Sequence, residues 1–383
     1  MAPLNVEDFR ILARRRLPRG MFEYVDRGTE DEVGLRSVHS GLEQVKLRPR
    51  VLNDVSAPDT STVVLGDALP MPVIVSPTAV AGLLWHDGEV QLARAARRAG
   101  IPFCVATQSM TTMEEIAERA PGANLWFQLY VFEDRKIGWQ LLERAKALGI
   151  RNLLFTVDTA RSPKKEWNTR NGFGIPIQPS LVGAMDLLVH PRWTLSVMAR
   201  YMLTTGIPVY AHYPPEYLTR MTRASAMPNV KLARKLTWDD VDEVRRRWDG
   251  NLVIKGVMDR EDAQQAVLRG ADGIVVSCHG GRNLDASPPA LQVLPGIADA
   301  VGHKLTVLAD SGIRRGSHIA KFLACGARAV LVGRAPLYGM AASGEQGAHA
   351  VLEILREELD HCMAFTGHGS LDTITRDVIA REC

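Results

Sequence analysis

Cysteine is sparse in this chain of 383 residues: Cys104, Cys278, Cys325, Cys362 and Cys383 are scattered, odd in number and never spaced as C-x-x-C. That spacing excludes a disulfide framework and a zinc site, and it points to a reducing cytoplasm. An excess of charge of one sign is missing too. With 46 basic and 43 acidic side chains the net charge is only +3, so nucleic acid is not expected as a partner. The basic runs Arg14-Arg15-Arg16 and Arg245-Arg246-Arg247 are read as solvated helix faces. The polar start, 1–9, is not followed by the apolar segment of a secretory signal. No apolar stretch reaches the ~18–20 residues that span a bilayer. The nearest, 181–203, is interrupted by Asp186, His190, Pro191, Arg192 and Arg200. Its Trp193, Val197, Met198, Tyr201 and Met202 make an amphipathic face suited to core packing or an oligomer contact, with peripheral membrane contact as the alternative. No internal repeat or low-complexity segment stands out.

What is present is strand–helix alternation. From residue 70 onward, short apolar runs rich in β-branched residues fall at 72–76, 103–106, 125–129, 153–157, 252–255, 273–277, 305–309 and 329–332. Segments of helical periodicity separate them, among them 89–98, 114–119, 136–148, 238–248 and 262–269. Alternation of this kind predicts a parallel sheet, and eight repeats predict an α/β fold closed as a (β/α)8 TIM barrel. We expect one domain over 1–383, with the barrel at about 70–365 and its last helix at 347–365. The first 70 residues, with helices at 6–16 and 20–28, are expected as an N-terminal cap on the barrel's floor. The interval 165–235, after strand four, is too long for an ordinary loop. Its Pro176, Pro179, Pro191, Pro208, Pro214, Pro215 and Pro228 predict irregular or mobile structure on the catalytic face, acting as a lid or a partner contact.

In such a barrel the chemistry sits at the carboxyl ends of the strands. Those ends read Pro77-Thr78-Ala79, Ala106-Thr107, Gln128-Leu129-Tyr130, Thr156-Val157-Asp158, Lys255, Ser277-Cys278-His279, Asp310-Ser311-Gly312 and Gly333-Arg334. A purely structural barrel has no use for Gln, Tyr, Asp, Lys and His gathered there, so an active site is expected. The run from Val275 to Asp285 is the most informative. An apolar strand breaks into His279-Gly280-Gly281-Arg282, delivering a base suited to neutral pH and a cation shaped for carboxylates. The turns Asp310-Ser311-Gly312-Ile313-Arg314-Arg315-Gly316 and Gly333-Arg334 offer glycines, main-chain N–H groups and arginines where barrels commonly bind phosphate. With Lys255 and Gln128 facing the axis, they suggest a phosphorylated cofactor across the barrel mouth.

These residues, with Asn5-Val6-Glu7-Asp8-Phe9, Phe22-Glu23-Tyr24, Trp126-Phe127-Gln128-Leu129-Tyr130, Val253-Ile254-Lys255-Gly256 and Val332-Gly333-Arg334-Ala335, run almost the length of the chain. In that order they resemble the FMN-dependent L-2-hydroxy acid oxidising family of glycolate oxidase, lactate oxidases and dehydrogenases, and (S)-mandelate dehydrogenase. The start and Gly82-Leu83-Leu84-Trp85 look closest to the mandelate and lactate dehydrogenase branch. The resemblance implies oxidation of a mandelate-like or lactate-like L-2-hydroxy acid to the 2-keto acid. It makes His279 the base and Asp158 the support of its imidazolium, since a nearby carboxylate favours the charged ring. Lys255 is placed at the N1–O2 edge of the flavin. Tyr130 and Tyr24 bond the substrate's hydroxyl and carboxylate, and Arg282 clamps the carboxylate. Pro77, Thr78, Ala79, Ala106, Gln128, Thr156 and Ser277 contact the flavin, while Asp310, Gly312, Arg314, Gly333 and Arg334 hold the ribityl phosphate. The resemblance further implies a homo-oligomer, a tetramer, and dioxygen or a quinone or carrier protein as electron acceptor. The enzyme is then expected in the cytoplasm, at the inner face of the membrane if 181–203 is a lipid contact.

Three positions depart from the family. Lys165 stands where the resemblance implies an arginine, a second carboxylate ligand, and it keeps the charge without the bidentate fork. Cys278 and Ala106 stand where asparagine and serine are usual, and either change is expected to alter the pocket or the flavin's potential. The departures leave a second reading, the same flavin chemistry on a tailored biosynthetic substrate. A third, a flavin-binding protein with a degenerate site, is opposed by the intact His279, Asp158, Lys255, Tyr24, Tyr130 and Arg282.

Overall fold

The computed structural model of the chain describes residues 2–173, 181–206, 208–213 and 231–380. Three helices come first: α1 (Val6–Arg16), α2 (Arg19–Asp26) and α3 (Val33–Gln44). The Asn5 side chain caps α1 by accepting from the Asp8 N–H, with Glu7 and Asp8 in the first turn and arginines in the last, all favourable to the helix dipole. A hairpin of β1 (Thr62–Val64) and β2 (Asp67–Leu69) follows. Then β3 (Val73–Val75), α4 (Ala81–Leu84), α5 (Gly88–Arg98), β4 (Phe103–Ala106), α6 (Met113–Arg119), β5 (Leu125–Leu129), α7 (Arg135–Ala147) and β6 (Asn152–Thr156) make the first half-barrel. The segment after β6 carries α8 (Glu166–Asn171), α9 (Leu181–Val189), α10 (Pro191–Trp193), a π-helical turn (Thr194–Ala199) and α11 (Arg200–Thr204). The second half holds α12 (Trp238–Arg247), β7 (Asn251–Val257), α13 (Arg260–Leu268), β8 (Gly273–Val276), α14 (Ala290–Val301), β9 (Thr306–Ala309), α15 (Gly316–Ala324), β10 (Ala329–Val332) and α16 (Arg334–Thr366).

Strands β3 to β10 pair in parallel and in chain order, and β10 closes on β3, so the (β/α)8 barrel is present with its eight predicted strands. Side chains alternate across each strand. One set, including Val73, Val105, Phe127, Phe155, Ile254 and Val330, packs outward under the helices. The other fills the barrel: Ile74, Cys104, Trp126, Leu154, Val253, Val275, Leu308 and Leu331, all buried.

The first 70 residues do not act as one floor cap. Only the hairpin closes the floor, inserting Val64 and Leu69 into the interior cluster. Asp67 at its turn accepts from Trp126 Nε1 (2.9 Å), Asn124 Nδ2 (2.9 Å) and Asn152 Nδ2 (3.1 Å). The α2 and α3 helices instead run to the carboxyl face, where Gly34 N donates to Asp285 Oδ1 and Val38 packs against Gly312. The range Arg334–Thr366 holds two helices that meet at a non-helical break, Ser343-Gly344, where Gly344 (φ +61) lies against Trp85. The second is the last helix expected at 347–365, and the first, from Arg334, was not expected.

Where it is described, the insertion is mostly helical rather than irregular. Pro191 starts α10 and Pro208 is buried, while Pro176, Pro179, Pro214, Pro215 and Pro228 lie outside the described residues. Trp193, Val197 and Tyr201 turn inward, with Trp193 Nε1 donating to the Leu83 carbonyl at 2.8 Å. Met202, assigned to the same face, turns outward. The basic runs are only partly solvated. Arg16 stacks 4.1 Å over the Trp85 ring, and Arg245 bonds Asp272 (2.8 Å) and the Gly250 carbonyl (2.7 Å).

Removing the floor acceptor tests this packing. Asp67→Ala leaves the fully buried Trp126 indole N–H without its acceptor, and it should lower the unfolding free energy by about 2 kcal/mol, read by urea denaturation.

Candidate active site

Two residues beyond each interior apolar residue, on the same face of its strand, stand Ser76, Ala106, Gln128, Thr156, Lys255, Ser277, Asp310 and Gly333. The interior thus changes from apolar to polar within one layer, at the carboxyl end. Lys255 is only 4% exposed, and its Nζ lies 3.0 Å from Asp310 Oδ2 and donates to Ser277 Oγ at 3.0 Å. Burial works against its charge, but Asp310 and Asp158 outweigh that and raise its pKa above the ordinary lysine value. Gln128 is oriented: its Oε1 accepts from Thr107 N at 3.2 Å, which leaves Nε2 buried and without a partner. Thr156 Oγ1 is buried and unpartnered as well. Such groups are rarely left bare unless a ligand or water meets them.

The predicted base sits on a tight turn. His279 (φ +53), Gly280 (φ +64) and Gly281 (φ +72) are all left-handed, a costly conformation for a histidine of the kind that collects at functional sites. Serine side chains hold it: Ser277 Oγ accepts from His279 N (3.1 Å) and Ser311 Oγ from Gly280 N (3.1 Å). The ring's Nδ1 lies 2.9 and 3.1 Å from the two Asp158 oxygens, so Nε2 is the nitrogen left free. Burial raises the Asp158 pKa, but His279, Lys255 and Thr159 together bring the carboxyl below its usual range. Asp158 can stand there because β7 bulges at Gly256 (φ +107). A Cβ at Gly256 would lie 2.4 Å from Asp158 Cβ.

Across the mouth, Arg282 Nη1 donates to the carbonyls of Val25 (3.1 Å) and Arg27 (3.0 Å), fixing the end of α2 that carries Tyr24. The Tyr24 ring lies 5.5 Å from the Arg282 guanidinium carbon and 4.5 Å from Lys165 Nζ. Burial, with Arg282 adding to it, pushes the Lys165 pKa down to about 7. Burial raises Tyr130 to about 12 and Tyr24 in the same direction, so both phenols stay protonated donors. At the opposite side, Arg314 and Arg334 flank the glycine turns. Arg334 donates to the Gly280 carbonyl, and burial lowers its pKa to about 10.

A single cavity of about 540 Å³ gathers these groups. Of the residues predicted for the site, Tyr24, Pro77, Thr78, Ala79, Ala106, Gln128, Tyr130, Thr156, Lys165, Lys255, His279, Arg282, Asp310, Gly312, Arg314, Gly333 and Arg334 line it. Asp158 and Ser277 do not; they stand behind, bonded to His279 and Lys255. Cys278 is not at the pocket either. It points into the outer core, and its thiol donates to Ser311 Oγ at 3.3 Å, so it reaches the cavity only through Ser311, which lines it. The sequence reading missed Gln108, Thr159, Asn168, Tyr210, Leu232 and Asn283, which also line it. Asn283 was legible within the His279 run, and Asn168 as the residue one helical turn beyond Lys165.

The residues fit a flavin nucleotide: an oriented amide donor, an orphan hydroxyl and a buried cation at the axis, with arginines after β9 and β10 and the left-handed Gly312 (φ +85) for a phosphate. Fold and site together define a cofactor-dependent barrel oxidoreductase. The profile of the FMN-dependent dehydrogenases matches residues 13–381, and the chain belongs to that family. It is 36% identical over 378 residues to (S)-mandelate dehydrogenase of Pseudomonas putida, covering 99% of this chain and 94% of that protein. It is 40% identical over 377 residues to L-lactate dehydrogenase of Pseudomonas putida (strain GB-1), covering 98% and 97%. The fold superposes with a TM-score of 0.93 on the crystal structure of monotopic membrane protein (S)-mandelate dehydrogenase, at 36% identity and over the whole of both chains. The protein is therefore an FMN-dependent enzyme of the hydroxy acid dehydrogenase family.

Gly256 gives a direct test of the geometry behind the base. Gly256→Ala should cost about 2 kcal/mol of stability through its positive φ, measured by denaturation. It should also slow flavin reduction, because the new methyl displaces Asp158.

Proposed function

We propose that the enzyme oxidises an L-2-hydroxy acid of the mandelate or lactate type to the 2-keto acid, with His279 as base. The observation that carries this reading is His279, backed by Asp158, facing one cavity with Lys255, Arg282 and two protonated tyrosines. Arg282 and Lys165 bind the carboxylate, with Tyr24 as a neutral donor. Tyr130 holds the hydroxyl, and the free Nε2 of His279 takes its proton. Asp158 fixes the ring and faces the charge that it acquires. When bound, FMN supplies the two-electron acceptor. Gln128, Thr156 and Lys255 would hold its ring system, and Lys255 would oppose negative charge developing there. Asp310, Arg314, Gly333 and Arg334 would hold its phosphate end.

His279→Ala should retain FMN but lose flavin reduction by (S)-mandelate and (S)-lactate in anaerobic stopped-flow. Near-wild-type reduction would overturn the assignment of the base. The lysine gives a pH signature. Lys165 carries its charge below about pH 7 and loses it above, so KM for the acid should rise as pH climbs through that value. Lys165→Arg, protonated throughout, should flatten that rise.

The electron acceptor we propose is a quinone-type molecule reached at a membrane, with the enzyme peripheral to the cytoplasmic face. Among the described residues no helix is long and apolar enough to cross a bilayer. The outward side of the insertion nevertheless presents Leu181 (86% exposed), Met185, Leu188 (80%), Val189, Leu195, Met202 and Leu203 (86%). Arg192 and Arg200 lie among them, suited to anionic headgroups. The similar mandelate dehydrogenase is described as a monotopic membrane protein, which supports the reading. Leu188→Glu with Leu203→Glu should abolish flotation with anionic vesicles while leaving turnover with a soluble dye acceptor unchanged. Rapid peroxide release in air would instead favour an oxidase.

A further inference from the structure

The sequence reading gave the carboxylate's second grip to Lys165 alone, yet a lysine is a point charge and leaves part of a carboxylate's acceptor capacity unmet. Lys165 is the residue at the N-terminus of α8, and Asn168 follows it by three positions, so the two occupy one face of the turn. Asn168 is only 8% exposed and lines the same cavity as Lys165, Tyr24 and Arg282. Its backbone N–H donates to the Lys165 carbonyl at 3.1 Å, but its carboxamide has no hydrogen-bond partner among the described residues. The other polar side chains near it are occupied. Asn171 donates to Glu23 Oε2 (2.6 Å) and accepts from Phe173 N (2.9 Å), while Glu166 pairs with Lys164 and Arg170. The amide atoms of Asn168 are open to the cavity, so the acceptor of a ligand bound there can meet them.

We propose that Asn168 is a substrate-binding residue whose Nδ2 donates to the carboxylate beside Lys165, so that a lysine and an amide together do the work of one arginine fork. The inference rests on the hydroxy acid reading above. It makes this pocket dependent on two residues of α8 rather than one, and it makes Asn168 a specificity residue for anionic over neutral substrates. An amide donates to the carboxylate without adding charge, whereas a carboxylate at the same place would repel the substrate.

The test uses the FMN-loaded enzyme and the variants Asn168→Leu and Asn168→Asp, with flavin content and melting temperature checked first. Two readouts are taken: KM and the limiting rate of flavin reduction with (S)-mandelate, and the Kd of oxalate from its perturbation of the flavin spectrum. Asn168→Leu should raise both KM and Kd about tenfold, with the limiting rate within about twofold of wild type. Asn168→Asp should raise them further, and this extra penalty should vanish with the neutral methyl ester of mandelate. Unchanged KM and Kd in both variants would overturn the proposal, as would equal losses for acid and ester, which mark a general disturbance of α8. If wild type is not reduced by (S)-mandelate or (S)-lactate, the hydroxy acid reading fails. The oxalate titration would still report whether Asn168 binds a carboxylate.

Discussion

A lysine cation held inside a barrel is the constraint from which the rest of the site follows. Burying an unpaired charge is prohibitive, so Lys255 exists only because Ser277 meets it from the end of the adjacent β8 and Asp310 from the end of β9, one strand further on. Strand alternation puts Val253 below Lys255 in the apolar interior, and the same step takes Leu308 to Asp310 and Val275 to Ser277. One polar layer on one apolar layer therefore sets both the depth of the core and the floor of the cavity. The ion pair ties β7 to β9 across β8, the strand that delivers the base.

The base in turn depends on two departures from regular backbone. The His279 turn is left-handed for three residues, and it persists because Ser277, Ser311 and Arg334 all bond it. On the other side, the bulge at Gly256 opens room for the Asp158 carboxylate, which Asn283 also braces by donating to the Asp158 carbonyl at 2.9 Å. A left-handed backbone at His279 is costly for a non-glycine residue. That is consistent with a position selected for where the ring points rather than for stability.

Much of this could be read from the chain because alternation and strand ends are local signals. Each barrel strand ends within about two residues of its predicted limit, the margin expected of boundary assignments, and polar residues at strand ends converge because a barrel forces them to. Other features depend on packing direction, which periodicity does not encode. The amphipathic pattern of 6–16 and 20–28 announces buried faces but not which end of the barrel they meet, so Tyr24 on α2 reached the mouth while its segment was expected at the floor. The hairpin 62–69 was missed because two three-residue strands leave almost no periodic trace. Cys278 looked like a pocket residue by proximity to His279, yet one step along a strand reverses the side-chain direction. Prolines made the insertion look irregular, although Pro191 opens a helix, where its missing N–H costs nothing.

The insertion unites the two least ordinary properties of the chain. Its α8 end supplies Lys165 and Asn168 to the cavity, while its α9 to α11 end turns an apolar row outward and anchors on the barrel through Trp193 and Tyr201. The anchors matter because they reverse the usual logic of an amphipathic helix. The aromatic side packs into the fold, as the core-packing reading of the sequence expected, and the aliphatic side is what remains for a partner. One end of the insertion thus lines the cavity with a lysine and an amide, and the other offers an apolar surface. An exposed apolar row of this kind is the feature on which the proposed lipid-resident acceptor rests, since contiguous apolar surface left uncovered by the fold marks a contact with a membrane or a partner.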